Sequence, residues 1–211
     1  MWMDILLQVL LLLFAVGMFF AMHDFPKKVI AKLRPKGGAK VEAKRHFVQG
    51  AQLLTRSRSE KNSTASVSLA KEATEEADKA LALDPKDAAA HILKALALDL
   101  QDQKSSALKS LDAALSLPAV NSLSASERGD ALFKRAELQI AVDRILQVDA
   151  AVSDLVEAVK LSPKNFKAFC LLGQCYEQKE MAEEARKAYW EARRVEPNST
   201  AAREGLSRLA S

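Results

Sequence analysis

Residues 165–198 read NFKAFCLLGQCYEQKEMAEEARKAYWEARRVEPN, and this stretch decides the fold. Apolar or small residues recur three or four positions apart on both sides of a break at 179–181. This spacing predicts two amphipathic helices joined by a tight turn. The small residues among them let the two helices approach closely, and Pro197 closes the run. The positions that carry the pattern are Phe169, Leu172, Gly173, Tyr176, Ala185, Tyr189 and Ala192.

This unit resembles the tetratricopeptide repeat (TPR), a helix–turn–helix unit of about 34 residues. One unit cannot bury its apolar face alone, so neighbouring units are expected. Thirty-four residues earlier, Ala151, Leu155 and Ala158 stand where Ala185, Tyr189 and Ala192 stand. The resemblance implies an all-α, right-handed α-solenoid of about four units, closed by a capping helix at 200–211. The units cover about 43–87, 88–121, 132–165 and 166–199, within a repeat domain at 41–199.

Two segments interrupt the repeat spacing. Residues 55–66 read TRSRSEKNSTAS, which is polar and aperiodic, so we expect a mobile loop inside the first unit. Residues 118–126 separate the second and third units. There, Ser124 or Ser126 is expected to cap the next helix, with Glu127 in its first turn.

Residues 5–22 are almost wholly apolar, and Gln8 is their single polar side chain. A helix over this run spans about 27 Å, close to the bilayer core of about 30 Å. A cleaved signal peptide is the competing interpretation, but no Lys or Arg precedes the run and no small-x-small site ends it. A buried core helix is the other alternative. The sequence therefore predicts a transmembrane anchor over residues 1–25.

The segment from His23 to Arg58 is strongly basic, with ten Lys or Arg residues and two acids, a balance of +8. From Ser59 onward the chain carries −3, although the whole protein carries +4. The positive-inside rule then predicts a single-pass protein whose C-terminal domain is cytosolic. The endoplasmic reticulum and the outer membrane of mitochondria or plastids all fit. The basic residues of a linker at 26–40 are expected to set topology and solubility, and contact with anionic lipid head groups is the alternative. These membrane-surface residues are Lys27, Lys28, Lys32, Arg34, Lys36 and Lys40. Pro35 and the Gly37-Gly38 pair predict a flexible joint there.

The resemblance also implies a binding groove, because the first helix of each TPR unit lines the concave face. It is expected to be apolar in the first three units and polar in the fourth, which suits a partner's amphipathic helix or apolar segment. The alternative is that a short array fills this groove with its own side chains or with a capping element. The clamp by which some TPR proteins hold a terminal carboxylate is missing, since only Lys167 matches it. The implied groove residues are Phe47, Ala51, Ile92, Leu96, Phe133, Ala136, Ile140, Lys167 and Gln174.

The sequence predicts no catalytic, metal or cofactor site. His23, His46 and His91 lack ligand partners at metal-site spacing, and His46 and His91 fall at packing positions. Cys170 and Cys175 point in different directions around one helix, which predicts two reduced thiols in or near the core. No aromatic residues alternate with the basic ones, so a nucleic-acid partner is not expected.

These features together predict a membrane-anchored protein-interaction module: a scaffold, receptor or assembly subunit. Two alternatives stay open. One is a structural subunit that a membrane complex holds through the transmembrane helix. The other is a precursor-targeting receptor on an organelle surface, which would bind short amphipathic ligands weakly.

Overall fold

The computed structural model describes residues 36–210. The chain divides into a unit at Met1–Val41 and a second at Glu42–Ser211. The predicted anchor at 1–25 and most of the linker lie outside the described residues. Within residues 36–210, none of the helices is both long enough and apolar enough to cross a bilayer.

The described residues form nine α-helices and no strand, in antiparallel hairpins followed by a single final helix. A short 3₁₀ helix, Ala119–Ser122, lies between the fourth and fifth helices. The α-helices are α1 (Lys36–Ser59), α2 (Ser63–Leu83), α3 (Ala88–Leu100), α4 (Lys104–Leu115), α5 (Ala125–Val142), α6 (Val148–Leu161), α7 (Phe166–Gln178), α8 (Ala182–Val195) and α9 (Thr200–Arg208).

One buried motif repeats in the second helix of every hairpin. A small residue, a residue four positions later and an alanine three positions after that all have no solvent exposure. The middle position changes from alanine in α2 to leucine in α4 and α6 and tyrosine in α8. Because the outer two positions are always alanine, neighbouring backbones approach closely and the middle side chain fills the space between them. The motif residues are Ala73, Ala77, Ala80, Ala107, Leu111, Ala114, Ala151, Leu155, Ala158, Ala185, Tyr189 and Ala192.

The prediction of a mobile loop at 55–66 is wrong. Helix α1 runs to Ser59 and α2 begins at Ser63, which leaves a connection of only three residues. Two reciprocal hydrogen bonds hold the helix ends together: Ser57 Oγ donates to the Ser66 carbonyl (2.7 Å), and Ser66 Oγ donates to the Ser57 carbonyl (2.8 Å). Asn62 caps α2 by accepting from the Thr64 and Ala65 amides. Polar pairing, invisible to a search for apolar periodicity, thus extends this hairpin beyond the core.

Two helix starts also differ from expectation. Helix α1 begins at Lys36, so the end of the predicted flexible joint is helical. Helix α5 begins at Ala125, well before the expected unit boundary at 132. Ser124 and Glu127 form a complete capping box there, which confirms the predicted cap. The first turns of α5 pack against the C-terminal end of α6. A Cβ atom at Gly129 would lie 2.7 Å from Ser162 Oγ, so a glycine is needed at this contact.

Helix α9 closes the array as the predicted cap. Ser199 caps its N-terminus by accepting a hydrogen bond from the Ala202 amide. Ala202 and Gly205 are buried against α7 and α8, and Leu206 packs at the edge of the same cluster. The turn expected at 179–181 is also present, between α7 and α8.

Candidate partner-binding groove

A first cavity, of about 380 Å³, is lined by α1, α3 and α5, the first helices of the first three hairpins. Its walls are mainly aliphatic or aromatic side chains of α1 and α3, with Leu123 and the first turns of α5 at one side. Three charged side chains, Glu127, Asp130 and Lys134, stand on the α5 side. The apolar lining comprises Phe47, Ala51, Leu54, Ala89, Ile92, Leu93, Leu96, Leu123 and Ala131.

A second cavity, of about 540 Å³, lies between α5, α7 and the start of α9. It is more polar than the first, although Cys170 and three larger apolar side chains contribute to its wall. The turn that leads into the cap forms one side, through Glu196 and residues 198–201, so the cap closes this end of the array. Its remaining lining residues are Phe133, Glu137, Phe166, Lys167, Leu171 and Gln174.

An ion cluster joins the linings of the two cavities. The Lys134 ammonium lies 2.8 Å from Asp99 Oδ2 and 3.2 Å from Glu137 Oε2. Burial acts to lower the pKa of Lys134, but the bonds to Asp99 and the charge of Glu137 outweigh it and raise the pKa. Lys134 is therefore held charged at neutral pH. Lys134 lines the first cavity and Glu137 lines the second, so this charged cluster lies at the boundary between the two cavities.

Seven of the nine predicted groove residues line one or other of the two cavities. Phe47, Ala51, Ile92 and Leu96 line the first cavity. Phe133, Lys167 and Gln174 line the second.

Two of the predicted groove residues, Ala136 and Ile140, do not line the groove. Ala136 has 0% exposure and belongs to the core between α5, α6 and α7. Ile140 packs against the same core and lines neither cavity. The groove is thus apolar at the first two units, and the third unit contributes to both cavities.

Sequence reasoning missed the α5 contribution to the first cavity. Glu127, Asp130 and Lys134 line it because α5 starts early, and the segment before α5 adds Leu123. The signal for this was present in the Ser124–Glu127 capping box, which fixes the start of the helix ahead of the repeat boundary.

The other candidate residues make local contacts. His46 Nδ1 lies 2.7 Å from Glu76 Oε2, so His46 forms a polar link between α1 and α2, where a packing residue was expected. His91 Nε2 contacts the Pro85 carbonyl at 3.1 Å. Cys170 and Cys175 are buried free thiols, as predicted, and burial raises the pKa of Cys175 to about 11. The part of the chain that the structure describes holds no cluster of three potential metal ligands.

Several solved structures share this architecture. YrrB, titled a TPR protein with an unusual peptide-binding site, superposes with a TM-score of 0.58 at 20% identity, covering 74% of each chain. The chain has the TPR fold. PilF of Pseudomonas aeruginosa gives a TM-score of 0.62 at 20% identity, over 82% of this chain and 69% of that one. MamA of Desulfovibrio magneticus RS-1 gives 0.63 at 18% identity, over 80% and 83%. No protein-family model and no curated protein matches the chain.

Proposed function

We propose that this chain is a membrane-anchored protein-interaction module that holds an apolar segment of a partner protein in the first cavity. The observation that carries the proposal is the open, apolar lining supplied by α1 and α3 together with Leu123 and Ala131. An amphipathic helix or an extended apolar segment is the kind of ligand that such a groove takes. The module works by holding and concentrating its partner, without a catalytic step.

The charged groups on one side of the first cavity give the partner a direction. Glu127 and Asp130 lie on the α5 side, and Lys134 is already paired with Asp99 and Glu137. The unbalanced charge at this side is therefore negative. A partner segment with apolar residues for α1 and α3 and a basic residue toward α5 fits best.

The membrane part of the proposal rests on the sequence. Residues 5–22 supply an apolar run of bilayer length, and the basic residues that follow favour a cytosolic repeat domain. An anchored groove meets its partner on a surface, which raises the local concentration of both. The endoplasmic reticulum and the outer membrane of mitochondria or plastids are the candidate membranes.

The test is a photo-crosslinking amino acid placed at Ala89 in the full chain, expressed in eukaryotic cells. Ala89 lines the first cavity in the first turn of α3 and belongs to none of the core clusters, so the label does not remove core volume. The matched control is Ala182, an exposed residue in the first turn of α8. We expect adducts at Ala89 that mass spectrometry maps to an apolar segment of another protein.

A charge variant provides the second arm of this test. Ala89→Glu should abolish the mapped adduct from a label at Ala51, because it puts a carboxylate among apolar walls. Ala182→Glu should leave it unchanged, since that carboxylate faces water. Adducts that map to this chain itself would mean that the groove is self-filled and would overturn the proposal. So would equal labelling from Ala89 and Ala182.

A further inference from the structure

The outer face of α1 is a cationic stripe. Arg45, Val48, Gln52 and Arg56 follow one another at helical spacing, opposite the positions that pack into the core, Ala43, Gly50 and Leu54. With Gln49 and Leu53 they line a shallow depression of about 450 Å³. Lys44 is exposed beside the stripe, and Arg58 is exposed near the C-terminal end of α1.

The arginines of this stripe, Arg45 and Arg56, have no carboxylate partner within the described residues. In the same part of the chain, no ion pair involves Lys44 or Arg58 either. By contrast, most of the arginines from α5 to α9 have a carboxylate partner, as in Arg128–Glu157, Arg135–Asp154, Arg186–Glu183, Arg194–Glu191 and Arg208–Glu177. The stripe therefore presents net positive charge to an outside partner.

The composition of the stripe favours an anionic lipid surface. Each basic side chain near an anionic bilayer strengthens surface binding about fivefold, and Val48, which is 44% exposed, adds an aliphatic contact. The stripe offers no aromatic side chain on which a nucleic-acid base could stack. In the sequence, α1 begins within the basic linker at 26–40, which itself follows the apolar run at 5–22.

We infer that the outer face of α1 binds the surface of an anionic bilayer, so that the first hairpin of the array rests on the membrane. This inference rests on the proposed membrane location of the chain and extends the lipid contact from the linker into the folded domain. It also gives the array a fixed orientation, because a helix face, unlike a flexible tether, sets direction.

The experiment compares cysteine accessibility in full chain reconstituted into nanodiscs of phosphatidylcholine alone or with phosphatidylserine. Val48→Cys reports on the stripe, and Val142→Cys, at 45% exposure of the native valine on α5, is the matched control. Cys170 and Cys175 are buried and react slowly with maleimide. We expect Val48→Cys to react several-fold more slowly in the anionic discs, and Val142→Cys to react equally in both.

Charge variants separate the stripe from the linker. Arg45→Gln with Arg56→Gln should remove the protection of Val48→Cys, at a cost of about fivefold in surface affinity for each charge lost. The exposed pair Lys164→Gln with Arg203→Gln is the control and should leave it intact. Equal reactivity of Val48→Cys in both discs would overturn the inference while the anchor stands. Protection by short duplex DNA in place of anionic lipid would overturn it as well.

A failure of the anchor gives a different result. If the full chain does not enter neutral discs, flotation with phosphatidylserine vesicles tests the stripe by itself. Salt-sensitive flotation with protected Val48→Cys would support the stripe and reject the anchor. No flotation with phosphatidylserine vesicles would reject both the anchor and the binding of the stripe to anionic lipid.

Discussion

Tyr189 is the residue on which the closed end of the array depends. Its ring has no solvent exposure and lies between two glycines, Gly173 of α7 and Gly205 of α9. A Cβ atom at Gly205 would come within 2.4 Å of the ring atoms Cε2 and Cζ. Because Gly173 packs on the other side of the ring, with a Cβ atom there meeting Cε1 at 2.7 Å, the ring cannot retreat. The glycines are therefore required by close approach.

Gly205→Ala tests this packing. The ring overlap should destabilise the array by about 1–3 kcal/mol, which exceeds the gain of about 1 kcal/mol in helix propensity. Urea unfolding of the full chain measures the difference. Gly38→Ala is the control, since a Cβ atom there meets nothing within 4 Å, and it should not destabilise. Equal stability of Gly205→Ala and the native chain would contradict the described packing.

Arg135 ties two hairpins together through carboxylates of unequal burial. Its guanidinium donates to both oxygens of Asp154, at 2.7 and 2.6 Å, and to Asp112 Oδ1 at 3.0 Å. Asp154 is only 7% exposed, so water cannot replace these bonds if the carboxylate is lost. The bonds to Asp154 raise the pKa of Arg135, in spite of its burial.

Asp154→Asn should lower the free energy of unfolding by about 2 kcal/mol, the usual loss for a hydrogen bond to a charged group. Glu157→Gln is the matched control, because the Arg128–Glu157 bond at 3.0 Å joins two half-exposed side chains. Its loss should stay below about 1 kcal/mol. Chemical denaturation of both variants gives the comparison, and equal losses would show that burial does not set the strength of these pairs.

At the scale of the element, α9 is fastened by a polar latch as well as by apolar contacts. Arg208 donates to both oxygens of Glu177, at 3.1 and 2.8 Å, and the Tyr189 hydroxyl donates to the same carboxylate. The bond from Arg208 is the main reason why the pKa of Glu177 lies below its usual range. The latch joins α7, α8 and α9, so it reports on the docking of the cap.

The latch should depend on pH in a defined direction. A carboxyl whose pKa is lowered by folding stabilises the folded state above its ordinary pKa, near 4.5, and loses that contribution as the pH falls through the folded value. The stability difference between the native chain and Glu177→Gln should therefore be largest near neutral pH and shrink in acid. Thermal unfolding between neutral and acidic pH measures it. Glu180→Gln, at an exposed residue of the turn after α7, is the control.

Some elements of the fold were predictable from the sequence and others were not. The A-x₃-[ALY]-x₂-A motif predicted the second helices, because their buried positions depend on local periodicity alone. The first hairpin was mispredicted because the Ser57–Ser66 pairing, between residues nine positions apart, extends it by polar contacts. Ala136 was placed in the groove because repeat position was transferred directly, whereas its side chain packs in the core between α5, α6 and α7, and the early start of α5 adds other residues to the first cavity. Long-range polar contacts and unequal helix lengths are invisible to a pattern read along the chain.

For the whole molecule, the proposed membrane topology decides which partners the groove can meet, and the sequence offers a way to test that topology. Asn62-Ser63-Thr64 and Asn198-Ser199-Thr200 are glycosylation acceptor sequences, and both asparagines are exposed. Protease treatment of intact membranes, with glycosidase treatment in parallel, should digest the repeat domain and show no sugar, because the proposed topology has the repeat domain in the cytosol. Detergent-opened membranes control for protease access. A protected and glycosylated domain would contradict the charge argument and place the partners in the lumen, whereas a protected domain without sugar would place them inside a mitochondrion or plastid.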